Sequence, residues 1–281
     1  EEGAFRLFDD NPTVGSSCLE KTHPPPHCSE ISVSEVSRDV NYTLEPVDVG
    51  GLTLLKGRVN TRDVFALSNS DLVPGKYEGG LKLWECSLDL IAALNSEIHE
   101  GILSFTGKRV LELGCGHGLP GIFACLKGSA AVHFQDFNAE VLRCLTIRNV
   151  THNVETNSQR SASSNRDLET RFFSGDWGDI DRILFPANSN ESDGRYDIIL
   201  MSETVYSISS LPNLFKLIKK RLRKSGGVVY MAAKKYYFGV GGGTRQFISM
   251  VEEDGDFCCS LIAEITSGSS NIREVWKVRH K

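Results

Sequence analysis

The sequence predicts an α/β fold: a seven-stranded, mostly parallel sheet with a C-terminal antiparallel hairpin and a small N-terminal β-rich extension. Three observations carry that expectation. From residue 84 onward, short apolar runs alternate with helical patterns at a regular beat, as parallel strands joined by right-handed crossovers do. The last two runs are separated only by Thr266–Asn271, too short for a crossover helix, so they must pair antiparallel. The first run enters a glycine-rich turn, Gly114-Cys115-Gly116-His117-Gly118, and passes directly into a helix.

In chain order, residues 1–38 contain Pro24-Pro25-Pro26, many Ser and Glu and little apolar periodicity, and read as a disordered or loosely docked arm. His23 and His27 flank the prolines near Cys18 and Cys28, but their spacing fits no common zinc framework and no metal is expected. Residues 39–75 hold short β-like runs, such as Leu52-Thr53-Leu54-Leu55, and form the N-terminal extension; residues 76–281 form the main domain. Its strands are expected at Arg109–Leu113, Ala131–Asp136, Arg171–Ser174, Tyr196–Met201, Gly227–Ala233, Phe257–Ile265 and Ile272–Arg279. Helical patterns cover Trp84–His99, Leu119–Lys127, Ala139–Asn149, Leu211–Lys224 and Thr244–Asp254. Residues 153–169 are rich in Ser and Asn and read as a surface loop. The basic stretch Lys216–Lys224 repeats at helical spacing, as a solvated helix face does. This is the Rossmann-like layout of the class I methyltransferase sheet.

Composition narrows the function classes. A chain of 281 residues holds one α/β domain plus an extension, and its 40% hydrophobic and 24% charged content suits a soluble globular protein. A net charge of -5 gives no whole-chain pull toward nucleic acid, and no direct sequence-specific nucleic-acid partner is expected. Eight cysteines without small-scaffold spacing suit a reducing compartment. No apolar run approaches the roughly 20 residues of a membrane span, so no membrane partner is expected. No signal peptide is visible, although the chain begins without Met and a removed leader stays open.

The glycine turn also fits a dinucleotide fingerprint, so the glycines alone decide little. Glu112, just before Gly114, separates the options: a carboxylate facing a pyrophosphate is repelled, whereas beside a cationic cofactor such as S-adenosylmethionine it is favourable. Gly114 and Gly116 let the backbone approach such a ligand closely. Asp136 ends the second strand about twenty residues further on, where an acid accepts from both ribose hydroxyls; capping of the next helix by Asp136 or Asn138 is the structural alternative, and both roles can hold at once. Gly175-Asp176-Trp177 follows the third strand and reads either as an adenine site or as a helix cap with a core aromatic. Ser202-Glu203-Thr204-Val205-Tyr206 follows the fourth, with Glu203 and Tyr206 placed to face the transferred methyl group and its acceptor. Gly79-Gly80 and Trp84 open a helix and suit closure over a cofactor. Tyr236–Gly243 combines aromatics with three consecutive glycines and is expected to be a mobile acceptor-binding lid.

Taken together, Lys76–Cys86, the Leu-Glu-Leu-Gly-Cys-Gly loop, His133–Asn138, Phe172–Trp177, Ser202–Tyr206 and Tyr237–Gly243 resemble the eukaryotic histidine protein methyltransferases over residues 40 to 281. The resemblance implies a monomeric enzyme that places one methyl on the tele nitrogen of a histidine in a large-subunit ribosomal protein. The implied setting is ribosome biogenesis and translation, in the cytoplasm and nucleus, with the nucleolus included. It implies S-adenosylmethionine contacts at Leu83, Trp84, Glu85, Cys86, Gly114, Asp136, Phe137, Asn138, Gly175, Asp176, Trp177 and Ser202. Glu203, or failing it Tyr206, is expected to hold the second ring N–H of the acceptor histidine. Tyr237, Phe238 and Gly241 are expected to grip the ring. The alternatives are a protein lysine methyltransferase of the same group and a non-catalytic ribosome-assembly factor that binds the cofactor.

Overall fold

Two layers of helices enclose one twisted sheet, because its central strands are apolar on both faces. The computed structural model describes residues 24–68, 70–160, 168–185, 194–266 and 271–281. The seven expected strands are present as β4 (Arg109–Leu113), β5 (Ala131–Asp136), β6 (Glu169–Ser174), β7 (Ile198–Ser202), β8 (Val228–Lys234), β9 (Phe257–Ile265) and β10 (Arg273–His280). An eighth, β1 (Ser29–Ile31), adds antiparallel to β6, giving the order β1-β6-β5-β4-β7-β8-β10-β9. β4 to β8 run parallel, and β10 is the reversed strand between β8 and β9. The connecting residues 267–270 lie outside those described.

The alternation within β4 sorts its side chains. Val110 packs with Val132, Phe134, Ile198 and Leu200 against α2 (Glu85–His99), α3 (Leu119–Leu126) and α5 (Ile147–Arg160). Leu111 and Leu113 pack with Ile199 and Met201 against α7 (Leu211–Arg221) and α8 (Thr244–Asp254). Burial on both faces is what parallel strands require. The basic face of α7 is tied down rather than free: Lys219 pairs with Asp254 at 2.5 Å, and Lys220 and Arg221 both meet Asp181.

Two boundaries differ from expectation. Residues 29–31, read from sequence as part of a loose arm, form the edge strand, with Ile31 buried and Arg171 bidentate on Glu30. Residues 1–23, including Cys18 and His23, lie outside those described. The surface loop read at 153–169 is helical up to Arg160, because α4 (Ala139–Val141) continues through a π-turn at Leu142–Thr146 into α5; residues 161–167 of that loop lie outside those described. Polar side chains of α5, misleading in sequence, have buried work.

Asn149 and Asn153 of α5 hold the N-terminal hairpin, β2 (Thr43–Val49) and β3 (Leu52–Arg58), against the main domain. Asn149 Oδ1 accepts from the Gly57 N–H (2.6 Å) and the Tyr42 hydroxyl (2.8 Å), and its Nδ2 donates to His117 O (2.9 Å). Asn153 accepts from Leu55 N and donates to Leu55 O (2.9 and 2.7 Å), completing a backbone-like pair with β3. The short helix α1 (Thr61–Phe65) follows, and α6 (Asp181–Leu184) meets α7 through Asp181. Asn149→Ala strands the buried Gly57 amide and His117 carbonyl. It should lower stability by about 2–4 kcal/mol in urea unfolding; a loss below about 0.5 kcal/mol would show the hairpin is held otherwise.

Candidate functional site

The register of the parallel strands sets the site. Leu113 pairs with Gln135 on one side and Met201 on the other, so the ends of β4, β5 and β7 stop at one level. The chain turns to β5 and β6 on one side of β4 and to β7 and β8 on the other, opening a crevice at the carboxyl ends. A cavity of about 400 Å³ occupies it.

Many of the expected residues converge there. Leu83, Trp84, Gly114, Gly116, Asp136, Phe137, Gly175, Asp176, Trp177, Ser202, Glu203, Tyr206 and Tyr237 all line the cavity. Gly116 has φ 49, and a Cβ there would come within 3.0 Å of Gly80 O, while one on Gly80 would meet Val141 at 2.9 Å. The two glycines therefore let the 74–84 strap lie directly on the glycine turn. Asp136 Oδ2 accepts from the Gly116 N–H (2.9 Å) and Oδ1 from the Asn138 N–H (3.0 Å). Burial pushes the Asp136 carboxyl up to about 6; the Asn138 and Gly116 amides oppose this, and the charge of Glu78 adds to it. Trp177 donates from Nε1 to Gln135 Oε1 (2.8 Å), which also takes the Gly114 N–H (3.2 Å), so one amide sets both ring and turn. Asp176 folds onto its own loop, accepting from Gly178 N at 2.7 Å.

Across the cavity stand two tyrosine–carboxylate pairs. The Tyr206 hydroxyl donates to Glu78 Oε2 and the Tyr237 hydroxyl to Glu203 Oε2, and the two rings meet edge to face at 6.3 Å. Glu203 has φ 55, a left-handed backbone that non-glycine residues rarely adopt. Its Oε1 is buried without a hydrogen-bond partner. Burial raises its carboxyl; the neighbouring Cys86 thiol, the Tyr237 hydroxyl and the charges of Lys234 and Arg273 pull the other way.

Several expected site residues lie elsewhere. Glu112 shares the Val110 face of β4, so its carboxylate points beneath α3 and accepts from the Gly121 N–H (2.8 Å); it does not line the cavity, and burial raises its carboxyl well above the usual range. Asn138 is a clamp for the strap, accepting from Glu78 N (3.0 Å) and donating to Lys76 O (2.8 Å). Glu85 is exposed and pairs with Arg273 at 2.7 Å, while Cys86 is buried behind Glu203. Phe238 points away, 71% exposed. Gly241 does not line the cavity; it shapes the turn and pairs with Ser207, which does.

Within Tyr236–Gly243, the loop expected to cover the acceptor, Gly242 and Gly243 are required by close backbone packing. A Cβ on Gly242 would lie 2.3 Å from Val205 O, and Gly242 N and Gly243 N donate to Tyr206 O and Val205 O (3.0 and 2.8 Å). Sequence reasoning missed Glu78 and Gln135. Both lay inside recognised motifs, but only the folded strap and the Trp177 ring reveal their partners.

Residues 74–254 match the family described as lysine methyltransferase. The chain is 43% identical to a histidine protein methyltransferase 1 homolog of Dictyostelium discoideum over 215 residues, 76% of this chain and 62% of that protein. It is 38% identical to a histidine protein methyltransferase 1 homolog of Mus musculus over 273 residues, 92% of this chain and 69% of that one. A more distant match, EEF1A lysine methyltransferase 3 of Mus musculus, is 28% identical over 54% of this chain and 55% of that protein. The chain spans 62% and 60% of the first two histidine relatives, from Dictyostelium discoideum and Bos taurus. In fold it resembles a Streptococcus mutans structure described as a SAM-dependent methyltransferase, with TM-score 0.52, 14% identity, and coverage of 84% of this chain and 55% of that one.

The Asp136 carboxyl yields a pH test. Its folded value, about 6, exceeds its ordinary 3.8, so the folded state holds a proton that the unfolded chain releases. Its stabilising contribution is full below about pH 4 and is lost as pH rises through about 6. Between pH 4 and 7 the wild type should lose on the order of 3 kcal/mol more stability than Asp136→Asn. Parallel urea-unfolding profiles for the two proteins would contradict this.

Proposed function

The chain belongs to the histidine protein methyltransferase family, and from that membership we propose that it transfers a methyl group from S-adenosylmethionine to a histidine ring nitrogen of a protein. The tele nitrogen of a large-subunit ribosomal protein is the acceptor this reading expects, with a monomer acting in the cytoplasm and nucleus. The charge of the cavity carries the proposal. Carboxylates of Glu78, Asp136, Asp176 and Glu203 line it, and among its described lining residues Lys82 is the single Lys or Arg. Lys82 is itself paired with Asp71 at 2.6 Å. Such a wall repels a pyrophosphate and attracts a donor bearing a sulfonium and an ammonium. Glu112, on which the sequence argument rested, is replaced in this role by these four side chains.

The residues present fit that donor. Each Asp136 oxygen takes one backbone N–H and keeps acceptor capacity for a diol. Gly114 and Gly116 leave the turn open, and Trp177 offers a ring fixed by Gln135. When bound, S-adenosylmethionine supplies an electrophilic methyl group. The protein's own task is alignment, because a histidine titrating near pH 6.5 already presents a free ring nitrogen at neutral pH. Glu203 Oε1 is the buried acceptor for the other ring N–H, which selects the tautomer. Tyr237 holds the carboxylate in place, and Tyr206, anchored on Glu78, closes the far side.

A lysine acceptor is the second reading, since the slot between Tyr206 and Tyr237 would also desolvate an amine. Labelled S-adenosylmethionine, ribosomal-protein extract and amino-acid analysis separate the outcomes. Methylhistidine supports the proposal, methyllysine moves it to the second reading, and no labelled product leaves only a cofactor-binding assembly role. Glu203→Gln should keep adenosylhomocysteine affinity within about twofold while lowering turnover by about tenfold or more. Unchanged turnover would remove Glu203 from the mechanism.

A further inference from the structure

Residues 24–31 lie outside the matched family segment, 74–254, yet they reach the site. β1 pairs along β6 with Ser29 opposite Ser174, the residue before Gly175. Their hydroxyls lie 3.0 Å apart. Beyond Ser29 the Cys28 side chain fills the space beside Gly175: a Cβ on that glycine would lie 2.3 Å from Cys28 Sγ and 2.9 Å from its Cα. The ladder ends at Ser29, and Pro24–Pro26, without N–H groups to extend it, continue beyond the sheet edge. Pro25 then lines the cavity in company with Gly175, Asp176 and Trp177. The segment is tied down within the strand by Arg171 on Glu30 (2.8 Å) and past it by Arg143 on Glu35 (2.9 Å).

We propose that the N-terminal strap, Pro25 to Ile31, is part of the cofactor site: its proline stretch forms the outer wall at the adenine end and slows release of the bound nucleoside. This rests on the placement of adenine beside Gly175–Trp177. Three facts make the strap fit that role. A proline run is stiff and extended, so it presents apolar surface with little entropy left to lose. The absence of a side chain at Gly175 is required by the strap itself, through Cys28. The anchoring residues Arg171 and Glu30 lie outside the cavity lining, so strap and pocket can be perturbed separately.

The test measures adenosylhomocysteine and free adenosine on the full chain, by calorimetry and by stopped-flow release. It compares wild type with the double variant Pro25→Gly/Pro26→Gly and with Arg171→Ala, which removes the strap's Glu30 anchor without touching the cavity. Both variants should release adenosylhomocysteine about five- to tenfold faster, with a matching loss of affinity for adenosine. Thermal unfolding identifies any variant that fails to fold, and the other then decides. Release within about twofold of wild type in a folded variant overturns the strap while leaving the cofactor reading intact. Failure of the wild type to bind adenosylhomocysteine overturns both.

Discussion

Asp136 ties the end of β5 to the glycine turn through one carboxylate oxygen and to the start of the next helix through the other. With the carboxylate buried, those two amides are what make its charge tolerable, and they fix the distance between the strand end and Gly116. Gly116 in turn accepts the strap only because neither it nor Gly80 carries a Cβ. The floor, one wall and the covering strap of the cavity thus hang on a single side chain. Removing it would leave two buried N–H groups unpaired and the strap without its bed.

The remaining carboxylates are supported in the same manner. Glu78 is held by the Gly75 N–H at 2.7 Å and takes the Tyr206 hydroxyl; Glu203 takes that of Tyr237. Each acid at the mouth is thereby oriented by a neutral donor rather than cancelled by a cation. An Arg or Lys partner would neutralise the wall and remove its attraction for a cationic ligand. Cations do occur nearby, but in a second rank: Arg273 is engaged with Glu85 and Asp89, and Lys234 lies over the Trp84 and Tyr237 rings. They restrain the rise of the Glu203 carboxyl without entering the cavity lining.

Much of this was legible in the chain. β4 and β5 run over the very residues their apolar patterns mark, since strands buried on both faces have no polar face to blur the signal. The loops after β4, β5, β6 and β7 were legible as a site because parallel topology brings strand ends together whatever the loops contain. What failed was direction. Glu112 stands next to the glycine turn in sequence, but the period of two turns it onto the Val110 face and under α3. Asn153 resembles a loop residue, and Asn149 a helix end, until the hairpin they serve is in place. The three-residue β1 is too short for any pattern, and its partner is about 140 residues away, a separation over which local sequence carries no pairing information.

Glu203 breaks two local rules at once: its backbone is left-handed, and one of its oxygens is buried unpaired. Each costs stability, so folding alone gives no reason for it. On the proposed reading the expense has a destination. A histidine ring that donates its N–H to Glu203 is neutral before transfer and cationic after it. The contact between ring and carboxylate therefore strengthens as positive charge develops on the ring. An interaction that grows along the reaction lowers the barrier, whereas one equally strong at the start would only deepen binding. The donor hydroxyl of Tyr237 and the left-handed turn keep the carboxylate aimed before the acceptor arrives, so no reorganisation is needed at the moment of transfer. A lysine acceptor would offer a different balance. Its amine must lose a proton before attack, and a carboxylate close by favours the charged ammonium and so works against that loss. On the proposed reading, then, the cost of deprotonation beside Glu203 is what sets an amine apart from a ring nitrogen.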